Sequence, residues 1–460
     1  MDKRFPLEDQ IEMLATALRG RVILPRHADY DATRMVALAN FDRRPAALVR
    51  VANATDVAAV LNFAQATELA VAVRSGGHST MGFGGCDGGL VIDLRDLNTI
   101  DIDPVAKTAW VGTGLTAGEV TAAVEKHGLV IGFGDTGTVG LGGLTLGGGI
   151  GYMVRKFGLT IDNLLAAEVV TASGDILVAD EAHHRELFWA LRGGGGNFGV
   201  VTRLKFKLND LPQFVGGPLV LPPRADVLAG FMAAAQAAPD ELTTIGFLMP
   251  IPPVPVVPPE AHGKLALIAM MAYAGNPDGA ARAIAPFRAL ATPLADLVRP
   301  APLSSLYALD PPPEMHSSVS IRSRFVDGID LAAAHNILTA IERCEAPMKM
   351  VQLRALGGAF GRVPQDATAF AHRDAKAMVV FLAMYGGGPD VTAHFERWAQ
   401  AAMDSVPSTG SAYVNFLADE GKDGLAAAYP AATLSRLGQV KRMYDPENLF
   451  RLNQNIAPAA

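Results

Sequence analysis

Cysteine is nearly absent. Cys86 and Cys344 stand alone in 460 residues, far apart and outside any CxxC pattern. No disulfide framework can be built from them, and both read as free thiols of a reducing, cytoplasmic compartment. Positive charge is in deficit. The formal net charge of -7 excludes a general nucleic-acid or anionic-membrane role, which favours basic surfaces. Charged residues make up only 18% against 50% apolar, which excludes a disordered chain. The N-terminal "MDKRFPLEDQIEML" has no apolar signal-peptide core. One uncharged run is long enough for a membrane helix, the 19 residues Thr136–Val154, but eight of them are glycine. That density argues for loops, so no membrane span is expected. Motifs are missing too. There is no GxxxxGK[ST] phosphate loop, no HExxH, no GxSxG elbow, and the His183–His184 pair has no ligand-like spacing, so no metal site is expected.

The length exceeds one ordinary core and calls for two domains. Residues 47–74 predict strand, helix, strand, the helix opening on a Thr55–Asp56 cap. Short strands are expected at 90–94, 99–103 and 108–112, and a helix over 116–127 with Val120, Ala123 and Val124 on one side. After a glycine-rich tract come strands at 167–171 and 176–179, a helix near 185–191 and a strand at 200–208. Beyond about 210 glycine thins, and alanine-rich helices alternate with strands at 264–273, 350–355 and 378–384. "PIPPVPVVPP", 250–259, holds six prolines and reads as an extended surface connection. The texture shifts again near Ser411. The plan is an N-terminal domain (1–210), an inserted second domain (211–410) and a tail (411–460) that returns to the first.

Three segments are dense in glycine: 75–89, 132–151 and 193–199, with ten glycines among the 20 residues of the second. Tight turns would account for one such segment. Three in one domain point to backbone N–H groups approaching the phosphates of a large cofactor, where a side chain would intrude. "GGGNFG", 194–199, formally matches GxGxxG. The dinucleotide fingerprint needs a strand before it and a helix after; here a helix-like "ELFWALR" precedes and a β-like "VVTRLKFKL" follows, so the match is rejected.

"RSGGHS" at 74–79, "GLGGLTLGGGIGYMVRKFGLTIDNL" at 140–164, "LFWALRGGGGNFGVVT" at 187–202 and "YDPENLFRLNQNI" at 444–456 together resemble the vanillyl-alcohol oxidase superfamily. Within it they are similar to the berberine bridge enzyme-like branch, most of all to the bacterial 6-hydroxy-D-nicotine oxidase group. The resemblance covers the first 210 and last 50 residues. It implies an α+β protein with the two-domain FAD-binding fold of the vanillyl-alcohol oxidase/p-cresol methylhydroxylase type and an antiparallel-sheet substrate domain. It also implies an FAD-linked oxidase for a small-molecule substrate, reoxidised by oxygen. The alternatives are a dehydrogenase with another acceptor and a nucleotide-binding protein without turnover.

By the same resemblance, the loop Arg74, Ser75, Gly76, Gly77, His78, Ser79 wraps the FAD pyrophosphate, and His78 is joined to the 8α-methyl of the flavin. From the loop alone, a histidine hydrogen-bonded in a turn is the other reading. Gly82, Thr136, Thr138, Val139, Gly140, Gly142, Gly143, Gly148, Gly151, Tyr152, Asn197, Gly199 and Val200 complete the implied FAD contacts. Some relatives carry a second, cysteinyl link, and Thr136 occupies that place here, so a single bond is expected. Val139 takes the place of the gatekeeper at the flavin's oxygen-reactive edge. Asn453 and Asn455, two apart in an extended tail, would share one side and reach the flavin's pyrimidine edge; a solvated C-terminus is the alternative.

Related enzymes place a basic tyrosine after Tyr-x-Asn, but the chain reads Tyr413-Val414-Asn415-Phe416, and Phe416 takes no proton. By strand alternation Gln352 and Arg354 share one face, with Lys349 ahead of them. They could bind a polar or anionic substrate, with Tyr413 hydrogen-bonding it. Equally, Gln352 and Arg354 could face solvent and Tyr413 could be tied to backbone. The pattern assigns no oligomeric state.

Overall fold

The computed structural model describes residues 5–253, 259–309 and 316–460. Residues 47–74 fold as strand Ala47–Arg50, helix Ala54–Thr67 and strand Val71–Arg74. The helix cap is Asn53, whose side chain accepts the Asp56 N–H at 2.9 Å, not the expected Thr55–Asp56 pair. Asp56 is spent elsewhere, on the N–H groups of Arg19, Gly20 and Ala52. Both strands flank Leu90–Asp93 in parallel, and Arg21–Ile23 adds an antiparallel edge, giving a four-stranded sheet. A five-stranded antiparallel sheet follows in the order 100–103, 108–112, 200–207, 164–170, 176–180. The helix Arg185–Leu191 comes before the 194–199 glycines and the strand Val200–Lys207 after them, the reverse of the dinucleotide fingerprint.

The glycine-rich tract departs from expectation. It is not all loop, since Leu141–Gly147 is a short buried helix. Here glycine serves close packing rather than flexibility: a Cβ on Gly147 would lie 2.0 Å from Asn415 Oδ1. No helix among the described residues is long and apolar enough to cross a membrane.

From Val215 to Tyr385 the chain builds an eight-stranded antiparallel sheet. Residues alternate between its faces. One set, including Leu219, Leu248, Leu267, Val351, Leu353 and Phe381, packs with Phe231, Phe287, Ile337 and Met403 of the covering helices. Register aligns the other set in rows: Val220 opposite Ile268, Ile268 opposite Phe247, Phe247 opposite Gln352. Phe247 and Ile268 pack beside Leu303, Leu306 and Tyr307 of a short 3-10 helix, and this face is otherwise turned toward the glycine-rich loops. The proline-rich segment reaches Ile251–Pro253 before leaving the described residues; 254–258 lie outside them.

The tail returns to the first sheets. Leu449 and Phe450 are buried with Val49, Leu61 and Ile92. Their anchor is a fully buried ion pair, Lys441 Nζ to Asp445 Oδ2 at 2.7 Å. Lys441 also donates to the carbonyls of Asn197 and Phe450, both at 2.8 Å, and Asp445 accepts the N–H groups of Leu449 and Phe450. Breaking such a pair strands a charge without solvent. Lys441→Met is expected to cost about 3–5 kcal/mol in urea unfolding, and Lys441→Met with Asp445→Asn distinctly less, because the second change removes the stranded carboxylate.

Candidate functional site

A cavity of about 1310 Å³ opens between the glycine-rich loops and the face of the large sheet opposite Phe231 and Ile337. That exceeds the range of about 300–1,000 Å³ typical of a drug-sized ligand and suits a cofactor together with a substrate. Its floor is made where three loops meet. The strand Val71–Arg74 runs straight into the 75–80 turn, in which Gly77 has φ 74°. The N–H groups of Gly76, Gly77, His78, Ser79 and Thr80 find no acceptor among the described residues. An array of free amides around a left-handed glycine is a ready anion cradle.

Two glycines make the floor possible. A Cβ on Gly76 would sit 2.3 Å from the Gly140 nitrogen, and one on Gly140 would sit 2.1 Å from the Gly76 nitrogen, so the two backbones cross in contact. Ser75 Oγ pins the crossing, donating to the Thr113 carbonyl at 2.5 Å and accepting the Gly142 N–H at 3.2 Å. Gly143 is different. A Cβ there would meet nothing within 4 Å, because it would project into the cavity.

Arg74 is placed otherwise than the sequence suggests. Its guanidinium turns inward to Asp93 at 2.8 Å and to the Arg34 and Met35 carbonyls at 3.2 and 3.3 Å. Only its buried Nε is left without a partner, so the amides, not this charge, would carry a phosphate. His78 lines the cavity. Burial holds its imidazole below the ordinary range, against a backbone hydrogen bond with Thr138, so the ring is neutral at pH 7.

At the far end, Asn197 ties the tail. Its Nδ2 donates to Gly194 O at 2.9 Å and to Gln454 O at 3.2 Å, and its Oδ1 accepts the Ile456 N–H. Asn453 donates to Phe450 and Gly196, while its buried Oδ1 has no partner, a vacancy for a ligand N–H. The tail is not extended as expected. Residues 452–454 bend, so Asn453 and Gln454 reach the cavity and Asn455 does not.

Of the other sequence-derived candidates, Ser79, Thr136, Thr138, Val139, Gly140, Gly142, Tyr152 and Gly199 also line the cavity. Gly82, Gly148, Gly151 and Val200 do not. Gly82 lies against the Phe41 ring, Gly148 against Phe370 and Tyr413, and Gly151 against the Phe133 carbonyl; Val200 packs in the core with Val170 and Ile92.

The sheet supplies the roof. Met348, Met350, Gln352 and Arg354 alternate along one strand and all face the cavity, as the alternation predicts. Lys349 points the other way, to the Cys344 carbonyl. Arg354 is neither solvent-facing nor a free cation. It is 2% exposed and bonded to Asp135 Oδ2 at 2.6 Å and to Gln352 Oε1 at 2.6 Å. The solvent-facing alternative is overturned, and the guanidinium is already paired with a carboxylate. The Tyr413 hydroxyl accepts the Gly149 N–H at 2.8 Å and Asn415 Nδ2 at 3.0 Å, and burial pushes its phenol upward, so it stays protonated at neutral pH. Sequence reasoning gave no role to Asp135, beside Thr136, or to Asn415 and Gln454, which lie inside motifs it did quote. It also missed the methionines Met249, Met270, Met348, Met350 and Met384, which make the roof soft and apolar.

The amide cradle, the open face at Gly143 and the orphaned Asn453 oxygen fit FAD as the group this cavity would hold. Comparison with known proteins agrees. The FAD binding domain family matches residues 45–180, and the family described as berberine and berberine like matches 412–457. The chain is 32% identical to (R)-6-hydroxynicotine oxidase of Paenarthrobacter nicotinovorans over 97% of this chain and 98% of that protein. It is 30% identical to the uncharacterized FAD-linked oxidoreductase YvdP of Bacillus subtilis over 97% and 100%. Among solved structures, 6-hydroxy-D-nicotine oxidase from Arthrobacter nicotinovorans superposes with a TM-score of 0.86 at 30% identity, covering 96% of this chain and 98% of that one.

The two kinds of glycine separate in a paired test. Gly76→Ala forces the crossing apart and should reach the soluble fraction poorly. Gly143→Leu should fold with wild-type circular dichroism yet purify with about a tenth or less of the wild-type flavin, because its side chain occupies the cofactor's space. Flavin absorbance per protein is the readout.

Proposed function

Because the chain belongs to the FAD-linked oxidoreductase family of the 6-hydroxynicotine oxidases and berberine bridge enzyme-like proteins, we propose that it is an oxidase of small organic molecules. The bond oxidised is a C–N or C–OH carbon's C–H. FAD, when bound, supplies the hydride acceptor at N5 and passes the electrons to oxygen, giving hydrogen peroxide. The observation that carries this reading is the continuity of one cavity, amide-lined at its floor and roofed by one face of the large sheet.

The chain's own residues divide the work. The 75–80 amides hold the pyrophosphate, and Asn453 meets an N–H at the opposite end of the cofactor. His78, neutral and facing the cavity, has the free ring nitrogen that attachment to the 8α-methyl requires. A second, sulfur link has no donor: Thr136 lines the cavity, whereas Cys86 and Cys344 are buried away from it, and burial pushes the Cys86 thiol up to about 11. Both thiols are unpaired, which suits a cytoplasmic protein. Val139 lines the cavity beside Gly140 and is small enough to leave oxygen a path. The apolar roof excludes water and favours substrates with an aromatic or aliphatic body. Phe416 is inert and Tyr413 stays protonated, and the one carboxylate lining the cavity among the described residues, Asp135, is already paired with Arg354. An amine that enters neutral fits this site best.

Three measurements test the reading. Acid precipitation should leave wild-type protein yellow and release the colour from His78→Ala; free colour from both removes the covalent bond. Anaerobic mixing with neutral secondary amines and secondary alcohols, (R)-6-hydroxynicotine first, should bleach the flavin. Reduced protein mixed with air-saturated buffer should regain its colour rapidly and yield one peroxide per substrate; slow return makes the protein a dehydrogenase.

A further inference from the structure

The substrate side of the cavity holds one carboxylate and one guanidinium, and they are bonded to each other. Among the described residues that line the cavity, Asp135 is the only acid. Its only cationic side chains are Arg354 and Arg74, and Arg74 is spent on Asp93. Arg354 is held from several directions. Nη2 meets Asp135 Oδ2 and Gln352 Oε1, both at 2.6 Å, and Nε meets the same Gln352 oxygen at 3.1 Å. Nη1 reaches the Ile150 carbonyl at 3.4 Å, and the Phe416 ring centroid lies 5.2 Å from the guanidinium carbon. Asp135 is held by one oxygen only. Its Oδ1 has no partner among the described residues, and the side chain is 11% exposed.

The pair therefore presents no net charge to the cavity, but it does present one unengaged acceptor. An anion could reach Arg354 only by displacing Asp135 and leaving a carboxylate stranded. A cation could reach Asp135 only against the Arg354 charge. A neutral molecule with an N–H or O–H bonds Oδ1 without disturbing either. From this we infer that Asp135 Oδ1 receives the N–H or O–H of an uncharged substrate, that Arg354 and Gln352 are positioning residues for it, and that the pair rejects free anions and cations. The inference rests on the reading that the cavity holds FAD and its substrate, and it names the charge class of that substrate.

The test uses flavin-loaded protein and three probes of one shape, benzamide, benzoate and benzylammonium, titrated by perturbation of the flavin spectrum. Wild type should bind benzamide at least about tenfold more tightly than either ion. Asp135→Asn frees the guanidinium, so benzoate should gain about tenfold or more while benzamide weakens. Arg354→Gln frees the carboxylate, so benzylammonium should gain by a similar factor, about tenfold. A merely structural role would weaken all three probes together and would not reverse the charge preference. Equal wild-type affinities overturn the inference without any variant. Unchanged charge preference in flavin-replete variants overturns it as well. Wild-type protein that takes up no flavin counts instead against the oxidase reading.

Discussion

The contact on which the site depends is the crossing of Gly76 over Gly140. Each residue's missing Cβ is the other's backbone nitrogen, at 2.3 and 2.1 Å. Nothing larger than glycine permits that approach, and the approach sets everything on the floor. It brings the free amides of 76–80 beside the N-terminus of the Leu141–Gly147 helix. It places His78 against the Thr138 backbone and allows one hydroxyl, Ser75 Oγ, to tie Thr113 to Gly142. The conformational entropy that so many glycines forfeit on folding is offset because the loops lock each other instead of moving independently.

The roof follows a different logic. An antiparallel sheet has two faces of opposite parity, and here helices take one parity while the cavity takes the other. The residues on the open parity are therefore free to vary in chemistry without disturbing the core formed by Leu248, Leu353 and Phe381. On the proposed reading, cofactor binding rests on backbone geometry in loops from the two ends of the chain, and substrate choice on Gln352 and Arg354 of the sheet together with Asp135 of the 132–151 segment.

That division explains what the sequence disclosed. Backbone geometry demands particular residues, so the glycine clusters at 75–89, 132–151 and 193–199 announced the floor, and parity at Gln352 and Arg354 announced the roof. Local grammar failed where a tertiary partner overruled it. Asn53 took the cap because Asp56 was recruited by Arg19 and Gly20. Leu141–Gly147 became a helix despite its glycines because Asn415 and Ser75 press on it. The tail bent at 452–454, turning Gln454 instead of Asn455 into the cavity. Asp135 was invisible for a related reason: it meets Arg354 across 219 positions, and no local pattern encodes a partner at that distance.

Buried Arg155 is held by the carbonyls of Leu356 and Ala238, but four other buried cations each have a carboxylate. Arg74 is bonded to Asp93, Arg373 to Asp162 at 2.7 Å, Lys441 to Asp445 and Arg354 to Asp135. In a low-dielectric interior an unpaired charge would dominate the local field, and here each of the four is cancelled within one hydrogen bond. What remains to act on a ligand is the short-range field of dipoles: five backbone amides on the floor, the amide of Asn453 at one end, and a single carboxylate oxygen on the roof. Such fields fall off steeply and act on whichever group lies against them. On the proposed reading a dianionic pyrophosphate would meet the five free donors of residues 76–80, whereas a substrate would meet one free acceptor in largely apolar surroundings. Affinity for the cofactor would then come from the number of donors, and discrimination among substrates from the scarcity of acceptors.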